Sequence, residues 1–206
     1  VLAGFAAART GRPAGVAAPS ANKFGRVSPT SAQHVRDEFG NTVACVLDGG
    51  DCEVGIESTI VDLSGAEPRV LRPGRITREQ VEAVLGRSLD PGRIARDAPR
   101  HSGGLDAHYA PRTPTRVVVA AELEAVLASH GAARCAVLGT GTAPAGVAAV
   151  VVLPAEAQGY AHALYAALRD LDASGAKMIL VEQPPQGVDW EGVNDRLRRA
   201  ATGSGI

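Results

Sequence analysis

From Thr115 to the end of the chain, short aliphatic runs alternate with stretches of helical periodicity. "TRVVVA", "CAVLGT", "VAAVVVL" and "KMILVEQPP" read as strands, and "AELEAVLASHG", "AEAQGYAHALYAALRDLDASG" and "DWEGVNDRLRRAA" as helices. Runs that are nearly continuous in Val, Ile and Leu suit strands buried on both faces. Such strands belong to a parallel sheet wrapped by helices. Composition agrees: hydrophobic residues make up 45% of the chain but aromatics only 3%, so aliphatic side chains must build the core. The "GTGT" at 139–142 lacks the rest of a dinucleotide-binding pattern and reads as a loop.

Upstream of this region, "SLDPGRIARDAPRHSGGLDAHYAPRTP" has no periodicity and is longer than an ordinary connection. It divides the chain into residues 1–87, a linker or lid over 88–115, and a smaller α/β domain of Rossmann-like pattern over 116–206. In the first part, residues 1–10 read as a helix closed by Gly11 and Pro13. A helix over 31–39 is expected to take its cap from Ser28 or Thr30. "ACVLDGG" reads as a buried strand, with Cys45 an inert core thiol like Cys135. "STIVDL" and "RVLRPG" suggest a hairpin. In "TREQVEAVLG", Thr77 and Gln80 stand at capping-box spacing, and Val81, Val84 and Leu85 form the expected buried stripe.

The 206 residues carry a net charge of −1, which gives no general argument for nucleic acid or an anionic membrane. The three cysteines have neither disulfide-framework nor zinc spacing, which points to a reducing cytoplasm. No metal site is expected from protein ligands, and no apolar run reaches the length of a membrane span.

Chemistry concentrates in a few short segments. In "VAAPSANKFGRVSPT", Ser20 and Asn22 are two apart, so in extended backbone their side chains face one way and can donate together to an oxyanion. Lys23 and Arg26 add charge nearby, and Ser28 and Thr30 stand at the entrance to a helix. The same residues equally suit a Pro/Ser/Asn turn with a routine cap. "GIESTIVDL" places Ser58 at the mouth of a strand, as a ligand-facing hydroxyl or simply a polar strand start. "LRPG" puts Arg72 at a strand end, where it can reach a phosphate or pair with Asp62 or Glu67.

Taken in order, "AAPSANKFGRVSPTSAQHV", "DGGDCEVGIESTIVDL", "VLRPGRIT" and "HYAP" resemble the threonylcarbamoyl-AMP synthase family, built on the YrdC-type twisted α/β sheet. "ALRDLDASGAKMILVEQPP" and "NDRLRRAA" are similar to the C-terminal domain of its two-domain members. The resemblance implies a nucleotidyltransferase that joins threonine, bicarbonate and ATP into threonylcarbamoyl-AMP and releases pyrophosphate. Mg²⁺ would accompany ATP, and the product would pass to a partner transferase that modifies tRNA. It further implies that Ser20 and Asn22 face the nucleotide phosphates, that Ser28 and Arg72 contact ATP, and that Ala18 and Ser58 hold threonine. His108 and Tyr109 would form part of a lid over the nucleotide.

The sequence departs from the family at the other half of the site. The family's Lys-x-Arg motif lies well upstream of the Ser-x-Asn pair, and here only Arg9 and Arg12 precede Ser20. The expectation is an N-terminally truncated synthase whose chain alone is a poor catalyst. Two alternatives are a non-catalytic RNA-binding module on the same fold and a carbamoyltransferase using carbamoyl phosphate. The second normally brings metal-binding domains, for which no spacing appears.

Overall fold

The computed structural model describes residues 3–4, 17–89 and 99–205. The helix expected over residues 1–10, with Arg9 and Arg12, lies outside the described residues but for Ala3 and Gly4.

The C-terminal half is the parallel sheet that the alternation predicts. Strands β3 (Thr115–Val118), β4 (Cys135–Gly139), β5 (Ala149–Val152) and β6 (Met178–Glu182) run parallel in the order β3-β6-β4-β5. The two central strands are sealed on both faces, and alternate residues serve different cores. Ala136, Leu138, Ile179 and Val181 meet the helices α4 (Ala157–Ala173) and α5 (Glu191–Gly203). Cys135, Val137 and Leu180 meet α3 (Leu123–His130) on the other side. The edge strand β5 leaves Val150 and Val152 partly exposed. Helix α4 buries Tyr160, Ala161, Leu164, Tyr165, Leu168 and Leu171, one stripe of an amphipathic helix. Trp190 packs edge-on against Tyr160 with ring centroids 5.4 Å apart, and so anchors the start of α5.

The N-terminal half has less regular structure. Helix α1 spans Ala32–Phe39, strands β1 (Ile60–Asp62) and β2 (Arg69–Arg72) form the expected hairpin, and α2 covers Arg78–Leu85. The capping box at Thr77 and Gln80 is present with both reciprocal bonds. Three local expectations are corrected. Ser31, not Ser28 or Thr30, caps α1: its hydroxyl accepts from His34 N, while the side chains of Ser28 and Thr30 are buried and engaged elsewhere. Residues 44–50 form no strand, because no described strand lies beside them to accept a ladder. Leu47 is 69% exposed, and Cys45 is exposed too. Finally, α2 buries none of its residues, and Val84 is 87% exposed. The described residues cover its apolar side only in part, leaving Val81 and Leu85 half-buried.

Side chains from α4 and α5, rather than a shared sheet, hold the N-terminal half in place. Arg169 of α4 donates to the Val27 and Ser28 carbonyls and pairs with Glu38 at 3.2 Å. The chain at Gly55 lies directly on α4: with φ at +84°, a Cβ there would stand 2.3 Å from His162 O and 2.4 Å from Ala161 O. Gly86, which ends α2, also has positive φ (+67°) but faces open space. Gly55→Ala is therefore expected to cost well over the roughly 1–2 kcal/mol that left-handed backbone alone takes from an alanine. Gly86→Ala should cost only that amount. Urea unfolding of the two variants checks the difference, and equal costs would remove the close-packing account.

Candidate active site

The segments singled out by sequence meet where the hairpin, the 17–30 loop and the stretch before β3 converge. Ser20, Arg72, His108 and Tyr109 line one cavity of about 290 Å³, together with Glu57, Phe24, His101 and residues 102–105. That volume suits an amino acid or part of a nucleotide.

Other expected site residues stand beside this cavity rather than on its wall. Ala18 is exposed. Asn22 turns into its own loop, donating from Nδ2 to the carbonyls of Lys23 (3.0 Å) and Arg26 (3.1 Å). Its Oδ1 is buried and has no hydrogen-bond partner among the described residues. Ser28 is buried and donates its hydroxyl to Glu57 Oε1 at 2.7 Å. Ser58 is exposed and packs on Arg72.

Arg72 ends β2 as a nearly fully buried cation with all three of its nitrogens engaged. Nε donates to Ser58 O (3.0 Å), one terminal nitrogen to Ser102 O (3.1 Å), and the other to Ser58 Oγ (3.4 Å). It thus joins the 58 turn to the linker.

The linker is tied down over residues 105–113. Ala110 N donates to Gly25 O (2.8 Å), and His108 N donates to Arg199 O (3.4 Å). Asp172 of α4 accepts from the backbone of Arg112 and Thr113, and Arg199 donates to Leu105 O. Between these restraints Tyr109 adopts φ +60°, an unfavourable region for an aromatic residue, at a cost of about 1–3 kcal/mol. Its buried ring stacks on Tyr165 (5.7 Å between centroids) and meets His108 edge-on (4.1 Å). Burial lowers the His108 pKa, and the cations Arg199, Arg196 and Arg72 add to this against the opposing charge of Glu57. The imidazole is thus held neutral, as an uncharged hydrogen-bonding group at the cavity.

The cavity residue that sequence reasoning passed over is Glu57. Its carboxylate accepts from Ser28, from Tyr165 Oη (2.9 Å) and from Arg196 Nε (2.8 Å). Arg196 and Arg199, also passed over, are buried on α5. The available signal was their placement: Arg196 lies three residues after Val193 and next to Leu197, on the apolar stripe of its helix.

The family models match these same segments. One described as "Threonylcarbamoyl-AMP synthase, C-terminal domain" covers residues 76–202, and one described as "Telomere recombination" covers residues 6–74. The chain belongs to the threonylcarbamoyl-AMP synthase family. The threonylcarbamoyl-AMP synthase of Pyrococcus abyssi is 35% identical over 201 residues, covering 90% of this chain and 57% of the relative. That of Bacillus subtilis is 34% identical over 199 residues, covering 91% and 57%. The crystal structure of P. abyssi Sua5 complexed with L-threonine superposes with a TM-score of 0.76 at 33% identity, covering 90% of this chain and 57% of that one. This chain thus spans somewhat more than half the length of the relatives it matches.

Burial pushes the Glu57 carboxyl pKa up, but the charge and hydrogen bond of Arg196, with the Ser28 hydroxyl, outweigh it and hold the pKa below its ordinary value. A carboxylate whose folded pKa is depressed contributes stability above the unfolded pKa, and that stability is lost as pH falls through the folded value. Acid unfolding is therefore expected to steepen below about pH 4.5. In Glu57→Gln that component should disappear, leaving a protein less stable at neutral pH and less sensitive to acid. Urea midpoints across the acid range check it, and parallel profiles for the two proteins would exclude Glu57 as the source.

Proposed function

We propose that this cavity serves the synthesis of L-threonylcarbamoyl-AMP. Threonine's amine forms a C–N bond to the bicarbonate carbon while a C–O bond breaks and water leaves, and an oxygen of the resulting carbamate attacks the α-phosphorus of ATP. The bond to the bridging oxygen breaks, and pyrophosphate leaves. The carrying observation is the convergence of Ser20, Arg72, His108 and Tyr109 on one cavity, in a chain of this family. A relative's structure with bound L-threonine supports that amino acid as the substrate.

Under this reading catalysis is positioning and charge neutralisation. Arg72 and Ser20 face the phosphates with Asn22 and Ser28 behind them. Ser58 and the backbone near Ala18 hold threonine. His108 and Tyr109 close over the nucleotide and exclude water from a labile mixed anhydride. Among the described residues, no three His, Cys, Asp or Glu side chains cluster as metal ligands, and Glu57 already accepts from three partners. The donor set therefore fits a Mg²⁺ carried on the nucleotide's own phosphates, where it would screen their charge, rather than one held by a protein cage. A cytoplasmic location and a partner transferase acting on tRNA belong to the same proposal. Among the described residues, no helix is long and apolar enough to cross a membrane.

The test is calorimetric titration of the chain with L-threonine and with a non-hydrolysable ATP analogue plus Mg²⁺. Saturable binding is expected, weakened about tenfold or more in Arg72→Ala through loss of a charge-assisted contact. The half-buried His108, whose Nδ1 has no hydrogen-bond partner among the described residues, provides the second variant. His108→Ala should weaken the nucleotide while the protein stays folded. Absence of binding, or affinities unchanged in both variants, would overturn the proposal. Salt-dependent RNA binding in its place would favour the non-catalytic alternative.

A further inference from the structure

Arg196 has no exposed surface and stands on a helix fixed to the sheet by Val193, Leu197 and Ala200. Its contacts follow a pattern. Nε donates to the Glu57 carboxylate (2.8 Å), and one terminal nitrogen donates to the Glu57 carbonyl (3.3 Å). The other terminal nitrogen donates to Pro73 O (2.9 Å) and to Asp195 Oδ2 (2.9 Å). Glu57 immediately precedes Ser58, and Pro73 immediately follows Arg72. The guanidinium carbon also lies 5.3 Å from the centre of the Tyr109 ring, within cation–π range. One side chain therefore grips the backbone next to each of two expected ligand contacts and lies against a third.

The surrounding backbone keeps this grip short and stiff. A Cβ on Gly74 would stand 2.5 Å from Thr59 N and 2.7 Å from Glu57 O, so the two gripped loops already touch. A Cβ on Gly192, one turn before Arg196, would stand 2.9 Å from Ile56 Cδ1 and 3.4 Å from Gly74 Cα. The helix thus sits directly on both loops. Ser28 and Tyr165 hold Glu57 from its other sides.

We propose that Arg196 is a positioning residue of the ligand site: through Glu57 and Pro73 it sets the backbone that carries Ser58 and Arg72, and so makes the C-terminal helix part of the site. This rests on the reading of the cavity given above. It assigns the C-terminal unit an indirect part in ligand binding, exerted through the backbone of Glu57 and Pro73. Lysine cannot replace arginine here, because one ammonium cannot reproduce a planar fork that spans Glu57 and Pro73.

The test uses Arg196→Lys in the full chain with three readouts: melting temperature, affinity for L-threonine and the ATP analogue, and the Arg72 Nε–H signal in nitrogen–proton NMR. That last proton is bonded to Ser58 O, so it reports site geometry with no ligand present. The expected result is a folded protein, binding weakened at least tenfold, and an Arg72 Nε–H signal that shifts and loses exchange protection. Unchanged affinity and an unchanged Arg72 signal in a folded variant would overturn the proposal. If wild type binds neither ligand, the functional reading falls, and the Arg72 signal alone still decides whether Arg196 positions it. Should Arg196→Lys fail to fold, Glu57→Gln takes its place, since it keeps shape and an acceptor while removing the charge. The same shift in the Arg72 signal would support the proposal, and its absence would overturn it.

Discussion

A guanidinium without access to water has to be met by acceptors, and Arg196 is met by them from the 57 turn, the 73 turn and its own helix. Taking one partner from such a pair leaves the other charge buried and costs about 3–5 kcal/mol, whereas an apolar pair of similar volume could be equally stable. What the ion pair adds is direction. An aliphatic contact between α5 and the hairpin would tolerate sliding by a fraction of an ångström. A planar fork with fixed acceptors does not, and the two loops it fixes are those that carry Ser58 and Arg72.

Arg199, three residues further along α5, extends the restraint to the linker. Asp195 accepts from Arg196, Arg198 and Arg199, so one carboxylate orients both buried guanidiniums. Arg199 then holds the linker at Leu105 O and, through its own carbonyl, at His108 N. This accounts for the backbone of Tyr109. A left-handed aromatic residue persists only where its neighbours over-determine it. Here bonds at His108 N and Ala110 N flank it, and Tyr165 and Arg196 fix its ring.

What could be read from sequence follows the range over which each pattern is determined. The aliphatic strands β3–β6, the helices between them, the Thr77–Gln80 box and the β1–β2 hairpin are set by residues within one element or its neighbour, and all form as expected. The misread features depend on partners elsewhere. Among the described residues, 44–50 carry a strand-like composition but have no strand alongside, and Val84 carries helical periodicity but meets no surface. Ser20 stood out by its spacing to Asn22 and Arg72 by its place at a strand end, but only the ordered motifs joined them to His108 and Tyr109. Glu57 and Arg196 are 139 residues apart, and no local pattern links them. A charged residue on an apolar stripe was the only trace of the pair. It marks a buried charge without naming the partner.

The arrangement around Arg72 also limits how an anionic ligand can be taken up. Three of its five N–H donors are used: two bonds run to carbonyls at 3.0 and 3.1 Å, and the third runs to the Ser58 hydroxyl at 3.4 Å. A phosphate oxygen can meet the second N–H of either terminal nitrogen, or replace the longest of the three bonds, which is the weakest. In the second case the Ser58 hydroxyl oxygen regains a lone pair at the same moment. Under the proposed reading, that hydroxyl is the group assigned to threonine. The bond to Ser58 O can meanwhile remain, because Arg196 holds the adjoining Glu57 carbonyl in place. By that route nucleotide and amino acid would be coupled through a single hydrogen bond, with the buried pair on α5 keeping the exchange local.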